Sequence, residues 1–442
     1  MTPKRTILFF ITFVFLIKTG FAQTFNKAKM DSLFDAPAAN NKAMMSIAIT
    51  QKGKPVYSRA IGYSWYGPTK TQADIKTKYR IGSISKVFTA TMIFQLIEAG
   101  KLELTTPLAK FYPQLLNADK ITIAHMLNHS SGLHSFTSDG DFPSWLSQKQ
   151  TQAQMLAKIN VKPDFEPDAK HQYSNPNFIL LGYIVEKLDN RPYAISLKER
   201  ITGKIGLKDT YYGGKINAAN NEANSYTWQG EWKPEVETDM SIPAGAGALV
   251  ATPNDLVKFF QALFAGKLVN PASLTHMRTI NDGFGMNLFP YNFGGRKALG
   301  HTGGIDGFKS HAIYFPDEEV SIAYVANGVN TSLGSVLNGA ASIFFNKPYT
   351  IPSFKTLTLK TEELDQYLGE YASTQMPLKI SITKNGAVLF GQVTGQQPFV
   401  LDATGTHEFK IDAVGAVLTF DPANNQMTLK QGITPILFSR QK

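Results

Sequence analysis

The sequence predicts an α/β fold of the α+β kind, in which an antiparallel sheet is flanked by helices, a helical region separates the two parts of the sheet, and a small β-barrel or sandwich follows. Strand-like runs lie on both sides of a helical middle, and one sheet built from both is the simplest closure. Beyond a proline-bounded segment at 348–352, apolar and polar residues alternate again, which is typical of half-buried strands.

Composition is that of an ordinary globular protein long enough for two or three domains. The chain has 442 residues, of which 43% are hydrophobic and 18% are charged. It contains no cysteine, which excludes disulfides and thiolate metal sites. The formal net charge is +10, but no block of basic residues indicates a nucleic acid partner.

The first 22 residues are interpreted as a secretory signal peptide. Lys4 and Arg5 precede an apolar run at 7–17, and the small residues Gly20 and Ala22 flank a suitable cleavage point. An apolar run of this length is too short to cross a bilayer. We therefore expect an exported protein, periplasmic or secreted, with no transmembrane anchor after cleavage; an uncleaved anchor is the alternative.

A short helix and a β-hairpin are predicted next. Residues 27–34 have helical character, and the strand-like runs 44–50 and 55–61 are joined around Lys52-Gly53. A second, largely apolar helix follows, because apolar residues recur at helical spacing and a glycine supplies the stop: Val87, Ala90, Phe94, Ile97 and Gly100.

Ser83 is placed at the mouth of this second helix, with Lys86 one turn inside it. Positions three apart share a helix face, so the lysine amine can reach the serine hydroxyl. A serine hydroxyl is a weak nucleophile until a base removes its proton, and burial shifts a lysine towards its neutral, basic form. The alternative is a helix that happens to carry both residues, since Ser-x-x-Lys is a short pattern.

Three histidines in the helical middle require a metal site to be considered. His125 and His129 lie four apart on a predicted helix, and His134 follows. Histidines near a glycine-terminated helix often bond only to loop carbonyls, which is the alternative that we favour.

A second polar pattern, Tyr173-Ser-Asn175, precedes an apolar helix at 178–188. Asn175 before Pro176 is expected to be the N-cap of that helix. Taken alone, the pattern therefore predicts only a capped helix start.

The chain then returns from helices to strands. A turn of small residues at 244–249 precedes a helix that starts at Thr252-Pro253 and runs to about Leu263. The remaining predicted elements are a strand at 298–304, hairpin strands at 309–315 and 320–326, and a closing helix at 332–345.

The tail is predicted to be a β domain of its own. Leu378, Ile380 and Ile382 alternate with polar residues, and Asn385-Gly386 is a strong hairpin turn. No catalytic set is evident in the tail, so we interpret it as an accessory domain. Its further predicted strands lie at 409–411, 417–420 and 427–429.

Three short patterns occur in one order along the chain: Ser83-Ile-Ser-Lys86 at a helix start, Tyr173-Ser-Asn175 on a loop and His301-Thr-Gly303 on a strand. They resemble the three motifs of the penicillin-recognising serine hydrolases, the superfamily of class C β-lactamases, serine D-Ala-D-Ala carboxypeptidases and β-lactamase-like esterases. The resemblance extends from about residue 44 to 345. It implies a β-lactamase/transpeptidase-like fold for a hydrolase domain at 23–347, followed by a linker at 348–354 and the accessory β domain at 355–442.

The resemblance also implies a role for each matched residue. Ser83 would attack a carbonyl and form an acyl-enzyme, while Lys86 and Tyr173 would share the base role and Tyr173 would protonate the leaving group. A neighbouring lysine ammonium would lower the pKa of Tyr173. Asn175 would orient Lys86 and the substrate. The implied substrate-binding residues are Asn175, His301, Thr302, Gly303 and Gly304, with the backbone N–H groups of Ser83 and Gly304 as the oxyanion hole; no metal or other cofactor is needed.

His301 narrows the function within this superfamily. Class C β-lactamases carry lysine at the matching position, so the pattern is more similar to D-Ala-D-Ala carboxypeptidase-like peptidases and to esterases. An imidazole holds a substrate carboxylate less firmly than lysine does, and Arg278 and Arg296 are the next cations to consider. We expect an exported serine hydrolase with a small-molecule or peptide substrate; a class C-like β-lactamase and a catalytically inactive penicillin-binding protein are the alternatives. Its oligomeric state and its acyl and leaving groups stay open.

Overall fold

A computed structural model describes residues 25–432 and 434–441. The predicted signal peptide lies outside these residues. Within them, no helix combines the length and the apolar character needed to cross a membrane.

The main sheet is assembled from both ends of the hydrolase region, as the sequence predicts. Its first two strands pair with each other, and Ala43–Gln51 also pairs antiparallel with Val320–Val329. Two short strands, Tyr226–Trp228 and Trp232–Pro234, extend the sheet to eight strands. The six long or medium strands follow the order Phe289–Phe293, Arg296–Ile305, Phe308–Phe315, Val320–Val329, Ala43–Gln51 and Lys54–Ile61.

Helices cover both faces of this sheet and form two separate buried clusters. Lys27–Ala39 and Leu333–Phe344 pack on one face. Pro253–Phe264 packs on the other face, and Ser85–Glu98 lies beyond it, where Phe88 stacks on Phe259 with ring centroids 3.7 Å apart. Ser85–Glu98 is buried on nearly all sides, which agrees with its continuous apolar sequence.

The helical middle lies above the second face and is built from short elements. Asn175–Asp189 is its longest helix and ends at Asn190 in the left-handed conformation. The other helices are Ile123–Leu127, Phe142–Trp145, Gln152–Ile159, Tyr193–Leu197, Gly203–Ile205 and Pro271–Arg278, and the short strands are Tyr63–Trp65, Thr71–Gln72, Tyr79–Arg80, Tyr211–Tyr212 and Leu249–Ala251.

The C-terminal strands close into a barrel, which decides between the barrel and the sandwich that the sequence left open. Closure leaves none of these strands with a free edge. Their side chains form a third buried cluster, separate from the two on the main sheet. The eight strands are Gly369–Ala372, Lys379–Asn385, Val388–Val393, Phe399–Gly405, Glu408–Ile411, Ala416–Asp421, Gln426–Lys430 and Pro435–Arg440.

A buried ion pair joins the barrel to the main sheet. Lys42, just before the first strand, is 4% exposed and pairs with Asp402 and with Asp412, the latter at 3.0 Å. Lys410 also pairs with Asp412, at 2.8 Å. The separate cluster nevertheless supports our proposal that 355–442 is an accessory domain.

A chain ending at Lys347 should therefore fold and keep its activity. The truncation keeps every buried residue of the two clusters on the main sheet and removes only Tyr349 and Ile351 from the edge of one of them. It also exposes the Lys42 amine to water, where a lysine charge costs little. We expect kcat/KM on a neutral p-nitrophenyl ester to stay within about threefold of the full chain. An insoluble or inactive product would show that the tail belongs to the catalytic unit.

Lys42→Met provides the matched control. In the full chain it leaves Asp402 and Asp412 without the buried partner, so the free energy of unfolding in urea should fall by about 1–3 kcal/mol. In the chain ending at Lys347 the same substitution should cost nothing measurable.

Candidate active site

Ser83 lies in a single 3-10 turn, Gly82–Ile84, immediately before the α-helix that begins at Ser85. Ser83 therefore lies in a short turn that leads into the α-helix, close to the helix start where the sequence places it. Gly82 has a φ of +51°, which a residue with a side chain rarely adopts, and this conformation shapes the turn. Ser83 is half-buried and opens onto two cavities.

The amine of Lys86 is completely buried beside Ser83. Its Nζ lies 2.9 Å from Ser83 Oγ, 2.8 Å from Asn175 Oδ1 and 2.8 Å from the carbonyl oxygen of Ala246. The structure thus brings together Ser83, Lys86 and Asn175, as the sequence predicts. The carbonyl of Ala246, within the predicted small-residue turn, is an additional partner.

Burial lowers the pKa of Lys86 well below its usual value and so favours the neutral form of the amine. A neutral amine has two N–H groups and one lone pair. Asn175 Oδ1 and the Ala246 carbonyl can only accept, so they take the two N–H groups. The lone pair is then left for the hydroxyl proton of Ser83, which is the arrangement that a general base requires.

Asn175 is the first helical residue rather than the N-cap that the sequence predicts. Ser174 occupies the N-cap position, and it makes no capping hydrogen bond through its side chain. The Asn175 amide is used elsewhere, because its oxygen accepts from Lys86 and its Nδ2 donates to Thr137 Oγ1 at 3.1 Å. The tertiary hydrogen bond between Asn175 and Lys86 thus takes precedence over the local preference of asparagine for the N-cap position.

Tyr173 is held against Ser83, but its electrostatics differ from the expectation. Burial raises the pKa of Tyr173, and the hydrogen bond with the Ser83 side chain opposes this only weakly. The Lys86 amine lies 4.9 Å from the centre of the ring, and burial lowers its pKa as well. Burial thus disfavours both charges of the expected ammonium–phenolate pair, and the pKa of Tyr173 is raised where the sequence leads us to expect it to be lowered.

His301 is buried behind Tyr173 with 2% of its surface exposed, and the two ring centroids are 6.2 Å apart. Its Nδ1 lies against the carbonyl oxygen of Thr302, which can only accept, so Nδ1 carries the proton. Burial lowers the pKa of His301 to about 3. The ring is therefore neutral and supports Tyr173 from one side of the larger cavity.

The strand Arg296–Ile305 runs alongside the Gly82–Ile84 turn so closely that only glycine fits. A β-carbon at Gly303 would collide with the carbonyl oxygen of Ile81, and one at Gly82 would lie 2.7 Å from the backbone nitrogen of Gly304. This approach brings the backbone at Gly304 next to Ser83, where the predicted oxyanion hole would be.

Two cavities meet at Ser83. The larger, about 720 Å³, includes Tyr173 and every predicted residue of the third motif. The smaller, about 270 Å³, includes Asn175 and is mainly apolar. The larger is lined by Ser83, Tyr173, Gly283, Phe289, Pro290, Tyr291, His301, Thr302, Gly303 and Gly304. The main side chains of the smaller are Phe136, Thr137, Phe142, Asn175, Ile179, Ile242, Pro243 and Ile305.

Sequence reasoning missed these cavity walls. Phe136 and Thr137 lie in a short turn between the predicted motifs, and Tyr291 belongs to a strand of alternating burial, so neither has a specific sequence signal. Phe289 packs edge-on against His301 at 5.0 Å, a contact that depends on strand register.

The three histidines weighed as metal ligands lie in three different surroundings. His125 Nδ1 accepts from the N–H of Thr122 at the helix start. His129 is buried and stacks on Tyr173 at 4.5 Å, and burial lowers its pKa well below the usual value. His134 bonds to two carboxylates, Asp139 and Asp164, at 2.7 and 2.8 Å, which raise its pKa.

Comparisons with known proteins agree with this geometry. The β-lactamase family model matches residues 30–341. Penicillin-binding protein 4* of Bacillus subtilis is 25% identical over 428 residues, which is 89% of this chain and 94% of that protein. Teichoic acid D-alanine hydrolase of Staphylococcus aureus is 25% identical over 292 residues, which is 63% of this chain and 68% of that protein.

Solved structures show the same fold. D-amino acid amidase from Ochrobactrum anthropi SV3 superposes with a TM-score of 0.63 at 25% identity, covering 72% of this chain and 98% of the amidase. A penicillin-binding protein homologue from Pyrococcus abyssi has a TM-score of 0.63 at 22% identity over 94% of this chain and 100% of that one, a likeness in fold alone.

The fold, the serine–lysine pair and these relatives define the class of protein, which is a serine hydrolase. More narrowly, the chain belongs to the β-lactamase family, since the family model covers most of its length. The predicted resemblance to the penicillin-recognising serine hydrolases is confirmed.

The pH dependence of acylation should report the state of Lys86. Because burial lowers the pKa of this lysine, the amine is an active base above that pKa and an inactive ammonium below it. We expect kcat/KM for a neutral p-nitrophenyl ester to fall below a pKa that lies well under the usual lysine value and to level off above it. Lys86→Met should lower activity by about 10²–10⁴ and remove the acid limb; a limb that survives the substitution would assign it to another group.

Proposed function

We propose that the protein hydrolyses esters and amides through an acyl-enzyme on Ser83. The observation that carries this proposal is the fully buried Lys86 amine, whose pKa is lowered by burial and which lies 2.9 Å from the Ser83 hydroxyl. Lys86 takes the hydroxyl proton as Ser83 Oγ attacks the acyl carbon, and the N–H groups of Ser83 and Gly304 stabilise the oxyanion.

Tyr173 would carry the proton to the leaving group. Its phenol remains protonated because burial raises its pKa, and it lines the larger cavity together with Ser83. As the bond to the leaving group breaks, the phenol gives up its proton and regains one from the Lys86 ammonium. Water then attacks the acyl-enzyme, with Lys86 again as base, and releases the acid.

The two cavities suggest how a substrate is oriented. The larger contains Tyr173, the proton donor, so it receives the leaving group. The smaller contains Asn175 but not Tyr173 and is lined by aromatic and aliphatic side chains, so it receives the side chain of the acyl group. Two relatives are named for the D-configured substrates D-amino acid amides and D-alanyl teichoic acid, so we propose D-aminoacyl esters, amides and peptides as the substrate class.

A D-Ala-D-Ala carboxypeptidase-like peptidase and an esterase are both included in this class. A class C-like β-lactamase is less well supported, because His301 stands where that class has lysine and is buried and neutral. The predicted signal peptide makes a periplasmic or secreted location part of the proposal. N-terminal sequencing of the mature protein from fractionated cells would test it, with residue 23 as the expected start.

Ser83→Ala should abolish covalent labelling by a fluorophosphonate or a labelled penicillin and lower hydrolysis by as much as about 10⁶. Ser85→Ala is the matched control, because the Ser85 hydroxyl accepts from the N–H of Leu249 and is fully buried. Its labelling should persist. Stoichiometric labelling of the alanine variant at 83 would disprove the nucleophile assignment, and no labelling of the wild type would favour an inactive binding protein.

Tyr173→Phe should discriminate between leaving groups. An amide or alkyl ester needs its leaving group protonated, so we expect a loss of about 10²–10⁴ in kcat/KM with D-alanine amide. A p-nitrophenolate departs without a proton, so the loss with the p-nitrophenyl ester should be much smaller. Equal losses on the two substrates would mean that Tyr173 positions Ser83 instead of donating a proton.

A further inference from the structure

Lys309 is a cation at the active-site strand that the proposed mechanism does not use. It lies on Phe308–Phe315 and pairs with Gly304 in antiparallel register. Its Nζ lies 3.6 Å from the place where a β-carbon of Gly304 would stand. Because Gly304 has no side chain, the lysine amine lies over the strand at a residue that lines both cavities.

Strand geometry places this amine on the leaving-group side. Residues two apart on a strand point to one face, and residues paired across two strands share that face. Thr302, Gly304 and Lys309 therefore share a face of the sheet. Thr302 and Gly304 both line the larger cavity, so Lys309 lies on their face of the sheet and next to that cavity, although it is not itself one of the lining residues.

The two arginines near this strand are already paired with carboxylates. Arg296, one of the cations suggested by the sequence, pairs with Glu318 at 2.9 Å and stacks on Phe345. Arg80 is buried and pairs with Asp306 at 2.9 Å. Arg278, the other suggested cation, lies at the end of the helix Pro271–Arg278 and not on the strands that carry Gly304 and Lys309.

The nearby histidines supply no positive charge at neutral pH. Burial lowers the pKa of His301 to about 3 and that of His311 to about 4. Lys309 is exposed, and the ion pairs found among residues 25–432 and 434–441 do not include it. Its charge is therefore available to a ligand.

We propose that Lys309 determines specificity by binding an anionic group, a carboxylate or a phosphate, carried by the leaving group. This inference rests on the proposed function, since it takes the larger cavity as the leaving-group site. In this proposal Lys309, and not His301, binds the negatively charged group of the substrate. An ammonium pairs equally well with a peptide C-terminal carboxylate and with a phosphate on an alcohol leaving group.

Two substrates that differ only in one negative charge can test whether Lys309 binds that charge. D-alanyl-D-alanine and D-alanyl-D-alaninamide contain the same scissile bond and differ in one negative charge. Lys309→Gln should lower kcat/KM for the acid about three- to fivefold, the size expected of an exposed ion pair, and leave the amide unchanged. Raising the salt concentration should reduce the wild-type preference, because salt screens exposed charges.

A second pair identifies the source of the anion. The D-alanyl ester of glycerol 1-phosphate is compared with the D-alanyl ester of glycerol, again in wild type and Lys309→Gln. A loss confined to the phosphate ester assigns Lys309 to phosphate-bearing alcohols, and a loss confined to the dipeptide acid assigns it to peptides. Lys297→Gln is the control, since Lys297 is an exposed lysine on the neighbouring strand Arg296–Ile305, at the end remote from Ser83, where its backbone is paired with that of Asn292.

The outcomes separate this inference from the proposed function. If neutral substrates are hydrolysed and neither anionic substrate is selectively affected by Lys309→Gln, the inference is overturned and the function stands. If no substrate is hydrolysed, binding of the same pairs to Ser83→Ala decides the matter. A selective loss of affinity for the anionic members in Ser83→Ala/Lys309→Gln supports Lys309, and equal affinities overturn it.

Discussion

The amine of Lys86 is completely buried, and three segments that are distant in sequence converge to meet it. Burying a lysine is costly unless its charge is lost and its polar groups are satisfied. The fold favours both conditions, because burial lowers the pKa of the amine while Asn175 and the carbonyl of Ala246 accept its N–H groups. These two conditions explain much of the structure around the active site.

The surroundings of that amine are packed to bring these acceptors close. The turn that contributes Ala246 packs directly on the helix Asn175–Asp189, and a β-carbon at Gly245 would lie 2.7 Å from the carbonyl oxygen of Phe178. Thr89, one turn beyond Lys86, donates its hydroxyl to the carbonyl of Gly245 at 2.6 Å. A small-residue turn is therefore required at this position, which explains the composition of 244–249.

Elements with strong local signals could be predicted from the sequence. The first hairpin, the helix that starts at Pro253 and the turn at Asn385-Gly386 each combine a clear period with a recognisable boundary residue, and each is present. Asn175 is the instructive exception. Its capping propensity is a local property, whereas its actual hydrogen bonds are decided by Lys86, which is 89 positions away in the chain.

The features of the candidate site likewise fall into those that local sequence predicts and those that depend on the tertiary structure. The proximity of Ser83 and Lys86 follows from helical spacing and was predictable. The pKa of Tyr173 depends on how much water reaches its side chain, and the position of Lys309 depends on strand register. Neither property can be predicted from a short sequence motif. The resemblance to a family indicates the position of a motif residue such as Tyr173, but it does not give the charge state of that residue.

The construction of the sheet from both chain ends also affects the order of folding. During synthesis Ser83 and its helix appear early, whereas the strand Arg296–Ile305 that completes their pocket appears late. The strand Ala43–Gln51 likewise waits for Val320–Val329, so one edge stays open until the loop between them has closed. Pairings this far apart in sequence form slowly. A nascent chain therefore carries its nucleophile before the strand that completes the pocket is made, and one edge of Ala43–Gln51 stays unpaired until Val320–Val329 has been added.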